Sequence, residues 1–468
     1  MAKIKQTVKD TPLFMLGDLL PKAGAFLLLP FLTVYLSPEE LGISLFCVVL
    51  SSLLATLCSL NIQSVVIRFG TDFIKNFSYL NKLFSTITIF LIFSTVITNL
   101  IFFVLGIILL KQTSIDIDFK LYIYTIFLAS VTAPYEIYQR ILIVTKRTKM
   151  YLFNQIFNFL IYSGVLFSLI FLNFSYYSII LASIASYCFF YLLLIRHKNI
   201  TLFTGFDKNI YKDIFHYSIK LVPNRLVALL PNFFDRAILS SISFANTALY
   251  SIGYRLGESS SYLASGFFKT YPRWLFLSLK KYDQNFEKIK KVFSYIFIIS
   301  LCTASAFTII AEDFVKFYLD ERYHEAWVVI PIIAFTVFFN NIRVFWLNFI
   351  LFDKKKAYLV IFSTMTFSFL SITIMLLTYK SYGIVGIASS ILFARFSSLI
   401  VILVLVKQLK YKIFGLSQII LSLLFIVLLF SVYSIKLNVL IKFMLILICG
   451  ICILYYVKKL YYLDDREK

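Results

Sequence analysis

The sequence predicts an all-α polytopic membrane protein of fourteen transmembrane helices: two six-helix lobes related by an axis along the membrane normal, plus two C-terminal helices. Three observations carry this. Of 468 residues, 60% are hydrophobic and only 15% are charged, and the mean hydropathy is +0.87. Apolar runs of roughly 18 to 25 residues recur from one end to the other, the length that crosses about 30 Å of hydrocarbon. The basic residues, finally, sort by connection in a strict alternation. With lipid outside, continuous helices are the economical way to satisfy every backbone group, which selects an α-bundle.

In chain order the spans are expected near 12–35, 42–66, 83–110, 121–144, 152–172, 177–195, 218–242, 248–270, 292–311, 326–350, 357–379, 383–406, 416–434 and 438–457. The opening "MAKIKQTVKDTPLFMLGDLLPKAGAF" puts lysines before an apolar run, as a signal peptide does. The run continues past Pro30 without a small-x-small exit, so it is expected to be an uncleaved first span. Pro21 and Pro30 in span 1 and Pro223 and Pro231 in span 7 interrupt backbone bonding in equivalent helices of the two halves.

The even-numbered connections, such as "TKRTKM", "DKKK" and "KQLKYK", together with the tails hold about 29 Lys and Arg. The odd-numbered ones, such as "LSPEEL", "NFSY" and "SFANT", hold about 6. Both termini are therefore expected in the cytoplasm, which an even number of spans requires. The net charge of +22 would suggest nucleic acid in a soluble chain; here most of it is ordinary membrane topology.

The second half restarts the first. "LPFLTVYLSPEELGISLF" and "LPNFFDRAILSSISFANTALYSIGYRLGE" share a span–turn–span pattern about 206 residues apart. Six spans per half means both copies enter the membrane from the same side, the parallel-repeat arrangement of transporters. The expected domains are an N-terminal lobe over 1–205, a second lobe over 206–415, and an appended helix pair with its tail over 416–468. The connections are too short for a soluble catalytic domain, and the sequence has no GxxxxGK[ST] phosphate loop. Cys449 and Cys452 form a CxxC, but within an apolar run they are expected to pack rather than to react. His197, His216 and His324 are too scattered for a metal site.

The chemistry must lie among the helices, where the expected spans hold ten basic and four acidic residues. A charge at mid-span costs about 2.5–3.5 kcal/mol on insertion scales and normally faces an interior or a cavity. Asp18 and Lys22, Glu136 and Arg140, and Arg255 and Glu258 lie three or four residues apart and can neutralise each other on one helix face. Arg68 ends span 2 and can snorkel. Asp235 and Arg236 are adjacent, about 100° apart on a helix, and are expected to look elsewhere for partners. Arg225, Arg343 and Arg395 have no acid at helical spacing. Guanidinium forks suit phosphate oxygens, so a substrate-binding cationic cavity is expected from Lys22, Arg68, Arg225, Arg236, Arg255, Arg343 and Arg395. Asp18, Asp235 and Glu258 are the candidates for ion coupling.

Four stretches resemble the polysaccharide-exporter branch of the multidrug/oligosaccharidyl-lipid/polysaccharide superfamily. They are "LPFLTVYLSPEELGISLF" with "IRFG" (29–70), "FFDRAILSSISFANTALYSIGYRLG" (233–257), "QRILIVTKRTKMY" (139–151) and "SYGIVGIASSI" (381–391). Gly253 stands where that branch carries a small Ala. The chain looks like a Wzx-type flippase. The resemblance implies transport, with no catalysis and no cofactor, of an undecaprenyl-diphosphate-linked oligosaccharide of O-antigen or capsule type across the bacterial inner membrane. Membrane lipid and other polysaccharide-assembly proteins are the implied partners, and the membrane potential or a proton or sodium gradient is the implied drive. Two alternatives remain at this point: a drug/cation antiporter of the same superfamily, and a membrane polysaccharide polymerase or ligase.

Overall fold

The computed structural model describes residues 21, 23–63, 66, 77–112, 117–145, 147–195, 205–353, 356–415 and three single positions beyond them. The two last expected spans lie outside the described residues, as do Asp18, Lys22 and Arg68. Among the described residues there are twelve α-helices and no strand. They are α1 (Leu29–Tyr35), α2 (Pro38–Ser59), α3 (Phe77–Gln112), α4 (Phe119–Val144), α5 (Thr148–Phe171), α6 (Tyr177–Ile195), α7 (Lys208–Ser240), α8 (Phe244–Glu258), α9 (Ser261–Leu279), α10 (Tyr282–Tyr318), α11 (Val329–Phe352) and α12 (Val360–Gln408). Six helical stretches are long and apolar enough, by length and composition, to cross a membrane. On α3 a row of apolar side chains faces outward: Phe93, Val96 and Leu100 are 60–66% exposed. An exposed stripe of that kind is what a lipid-facing helix presents.

Contacts divide the chain into two units, Met1–Ala248 and Leu249–Lys468. In the first, α7 packs on α2 and α3, so residues 206–248 group with the preceding helices. The turns at one end of this unit are tied by short polar contacts. Ser37 and Glu40 form a capping box at the start of α2, and the Ser175 hydroxyl donates to the same Glu40 carboxylate. Ser44 donates to the Tyr176 carbonyl at 2.8 Å, and the Tyr177 hydroxyl donates to Asp118, the N-cap of α4. The first, third and fifth connections thus meet at one end, as alternating spans require. At the other end the Ser85 hydroxyl donates to the Gly205 carbonyl at 2.9 Å, and the Asp207 amide donates to Thr86 Oγ1 at 3.2 Å.

Span 2 departs from the expectation of one run over 42–66. The helix stops at Ser59, with Leu60 and Asn61 in the left-handed region (φ 42° and 58°). Two hydroxyls donate to the carbonyls this frees: Ser94 donates to Cys58 O at 2.6 Å, and Ser218 of α7 donates to Leu60 O. A helix end inside an apolar bundle needs such partners.

In the second unit, expected span 8 (248–270) is two helices. The chain breaks after α8 at Ser259–Ser260, where the Ser259 hydroxyl takes the Leu256 carbonyl at 2.6 Å and the Ser260 hydroxyl takes that of Gly257 at 2.7 Å. Serines that bond their own preceding turn compete with helix continuation. The body of α8 lies tight against the start of α11. A Cβ on Gly253 would come within 2.4 Å of the Ala326 carbonyl, and one on Gly257 within 2.8 Å of the Ile333 side chain. Glycines four apart allow this approach, which explains why Gly253 replaces the Ala of the resembling sequences. Expected spans 11 and 12 form α12, a 49-residue run that turns at Gly383 (φ 50°). Its two arms are stapled by Ser363 and Ser398, each donating to the other's carbonyl at 3.1 and 3.0 Å. Below them an aromatic core of Phe293, Phe338, Phe345, Trp346 and Phe349 joins α10 to α11.

Candidate functional site

Three groups of intramembrane charge are described, each built differently. The first is Asp235–Arg236 on α7, two turns of helix containing Pro231. Both side chains are buried, Asp235 completely. The adjacent pair does pair, against the expectation from helical geometry. The Arg236 side chain folds back on its own helix, so that Nη1 lies 2.7 Å from Asp235 Oδ2 and 3.3 Å from the Asn232 carbonyl. The Arg236 backbone amide also donates to Asp235 Oδ1 at 2.6 Å. A hundred degrees of rotation is bridged because the arginine stem is long and the aspartate short. One expected cavity cation and one ion-coupling candidate therefore engage each other.

The second group centres on Glu136 of α4. Gln63 donates to its carboxylate, and Arg225 of α7 and Arg140 of α4 both lie close enough to attract it. Arg225 is exposed. The 136/140 spacing is legible in the sequence, whereas the approach of Gln63 and Arg225 requires three helices to be packed.

The third group lies within the second unit. Arg343 of α11 is half-buried, with Nε and Nη2 straddling Asn340 Oδ1 at 3.3 and 3.2 Å and Nη1 3.5 Å from the Ser363 hydroxyl. Arg395, on the returning arm of α12, lies with its guanidinium carbon 3.6 Å from the centroid of the Phe367 ring on the outgoing arm. The serine staple sets this register. Phe367 lies one turn beyond Ser363 and Arg395 one turn before Ser398, so on antiparallel arms the two face each other. Arg395 Nε is sealed from solvent without an acceptor. Among the described residues, the ionisable groups acting on Arg395 are Arg343 and Tyr254, neither of which is a carboxylate. Sequence reasoning found both arginines but missed Asn340, Ser363, Phe367 and Ser398. Of these only Asn340, three residues before Arg343, carries a local signal.

Of the remaining candidates, Arg255 is half-buried near the end of α8, and Glu258 closes that helix as an exposed residue beside the break.

Comparison with known proteins places this geometry. The model of the polysaccharide biosynthesis protein family matches residues 31–269. No curated protein sequence matches significantly. Among solved structures, the lipid II flippase MurJ in an inward closed conformation aligns at 12% identity with a TM-score of 0.66, covering 99% of both chains. The Vibrio cholerae MATE transporter VcmN aligns at 13% identity and TM-score 0.56, over 86% of this chain and 96% of that one. An outward-facing multidrug resistance MATE transporter of the MOP superfamily gives 12% and 0.56 over 86% and 95%. At such identities the likeness is one of fold, the all-α fold of multi-pass membrane transporters. With about half of its length matched by the family model, the chain belongs to the polysaccharide biosynthesis protein family.

Proposed function

We propose that this protein is a flippase that carries an undecaprenyl-diphosphate-linked oligosaccharide, of O-antigen or capsule type, from the cytoplasmic to the outer leaflet of the bacterial inner membrane. The single observation that carries this reading is the fate of the intramembrane arginines. Arg343 and Arg395 have no carboxylate within ion-pairing distance among the described residues, whereas Arg225 lies near Glu136. Uncompensated guanidinium groups at membrane depth favour an anionic cargo. The family's description as polysaccharide biosynthesis proteins and the lipid II cargo of the structurally similar MurJ support a lipid-linked glycan as that cargo.

Both termini face the cytoplasm in this scheme, and two lobes (1–205 and 206–415) alternate in access while the polyprenyl tail stays in lipid. Moving an anion outward gains about 2.3 kcal/mol per charge per 100 mV when the cell is negative inside; a proton or sodium gradient is a further source. No bond is made or broken, so no catalytic residue or cofactor is invoked. The MATE likeness also admits a drug/cation antiporter, but cationic substrates call for the opposite charge balance. The test is deletion, followed by locating the lipid-linked oligosaccharide. Accumulation in the cytoplasmic leaflet is expected; accumulation in the outer leaflet would sink the proposal.

A further inference from the structure

The first unit carries an apolar groove on its outward side. It has a volume of about 800 Å³ and lies between α3 and α7, with Leu60 at its floor where α2 stops. Pockets that hold small ligands enclose roughly 300–1,000 Å³. Phe93 and Ile97 form the rim, 65% and 57% exposed, and belong to the row of α3 that faces outward. The groove thus opens toward lipid. Its lining is almost wholly apolar, and the Ser94 hydroxyl within it is already committed to Cys58 O. From Ile89 to Thr98, the stretch of α3 that lines the groove, the helix rises about 14 Å. That is close to the ~15 Å of hydrocarbon in one leaflet.

One end of the groove is closed and polar. There the Phe90 ring rests on Tyr211 and Phe215, with centroids 5.6 and 6.2 Å away, and Phe206 packs on Tyr211 at 5.3 Å. Beside these rings, the Ser85–Gly205 and Asp207–Thr86 hydrogen bonds tie α3 to the chain entering α7. Lys82, one turn before Thr86, is exposed, as are Lys208 and Lys212 on the first turns of α7. Two acids share this end. The Asp207 carboxylate is taken by the amides of Asn209 and Ile210, and Asp213 is exposed. Among the described residues none of the three lysines is ion-paired. A positive excess therefore stands at the end of an apolar track as deep as one leaflet.

We infer that this groove binds an anionic phospholipid of the bilayer, with one acyl chain along α3 from Phe90 to Thr98 and the phosphate held by Lys82, Lys208 and Lys212. A track one leaflet deep suits an acyl chain, whereas a polyprenyl chain would leave most of its length outside. The lipid bridges α3 and α7 beside the break in α2, so its occupancy stabilises the packing of the first unit. The inference does not depend on the proposed cargo.

The full-length protein is reconstituted in phosphatidylcholine nanodiscs containing a small fraction of phosphatidylglycerol with a photoreactive diazirine on one acyl chain. After illumination the labelled peptides are mapped. Labelling is expected to concentrate on 89–98 and 206–215, well above that of α5, whose Phe153 and Leu160 also face outward. Phosphatidylcholine carrying the same chain should label the groove at least about fivefold less, the factor that a single lysine near a membrane surface contributes toward anionic lipid. K82Q/K208Q/K212Q should erase that preference. I97W fills the groove and should lose the labelling. V96W adds the same bulk to the same outward row, outside the groove, and should label as the parent does. The lysine variant changes only exposed side chains, so the test stands whether or not I97W folds.

Even labelling of α3 and α5, no labelling of 89–98, or equal labelling by the two headgroups would each overturn the site. So would displacement of the probe by unlabelled polyprenyl phosphate more readily than by phosphatidylglycerol, which would give the groove to a polyprenyl chain instead.

Discussion

Asp235 and Arg236, consecutive residues on α7, form a 2.7 Å ion pair with the carboxylate wholly buried. Removing one partner strands the other in a place without water, which typically costs about 3–5 kcal/mol. D235N and R236Q are each expected to lower the thermal midpoint in detergent markedly. The double variant D235N/R236Q should recover much of the loss, giving a large coupling term in a double-mutant cycle. Additive losses would mean the pair does not act as a unit.

The sequence reading of this pair failed for an instructive reason. A helical wheel places Cβ atoms, and it correctly separates residues 235 and 236. It does not describe where a four-atom stem can reach once Asn232 O and the Asp235 carboxylate lie on the same side. The all-α class was legible because hydrophobic run length is imposed by the bilayer. The breaks at Leu60–Asn61 and Ser259–Ser260 were not, because each depends on hydroxyls that take over the released carbonyls. For Leu60 O that hydroxyl is Ser218, 158 residues away. Arg343 and Arg395 were found by the absence of acids at helical spacing, while Phe367 became visible only when α12 folded back.

Gly253 is the residue where α8 touches the carbonyl of Ala326. G253A restores the residue typical of the resembling sequences, yet here it should destabilise by about 1–3 kcal/mol, the usual cost of overpacking. Gly164, with nothing within 4 Å of an added Cβ, is the control. There G164A should be neutral or stabilising by about 0.5–1 kcal/mol through helix propensity. Thermal midpoints of the two variants, measured side by side, check the contrast.

Asp118 sits outside the spans as the N-cap of α4, and its carboxyl titrates below the usual carboxylate range. The Tyr177 hydroxyl is the main cause, followed by the Lys120 amide and charge. A depressed folded value means its stabilisation is present above the unfolded value, about 3.9, and is lost as pH falls through the lower folded one. Amide exchange over the first turn of α4 should therefore be slower in the parent than in D118N at pH 7. The difference should shrink once the pH passes below about 3.9. Y177F should show a smaller effect of the same sign. An undiminished difference in strong acid would contradict the assignment.

Ser398 and Ser363 hold the arms of α12 together, with hydroxyl oxygens 2.6 Å apart. S398A removes the staple from one side and should cost about 1 kcal/mol. S397A changes only an exposed hydroxyl bonded to its own preceding turn and should be silent. Tryptophan fluorescence during thermal unfolding distinguishes them.

The hairpin at Gly383 also constrains how this chain can evolve. One residue inserted between Ser363 and Phe367, or between Arg395 and Ser398, turns the far side chain by about 100° and shifts it by about 1.5 Å. Either slip would swing the arginine off its aromatic rest. Insertions and deletions among descendants should therefore gather near the hairpin tip or in the surface connections, leaving those two short intervals fixed in length even where their letters drift.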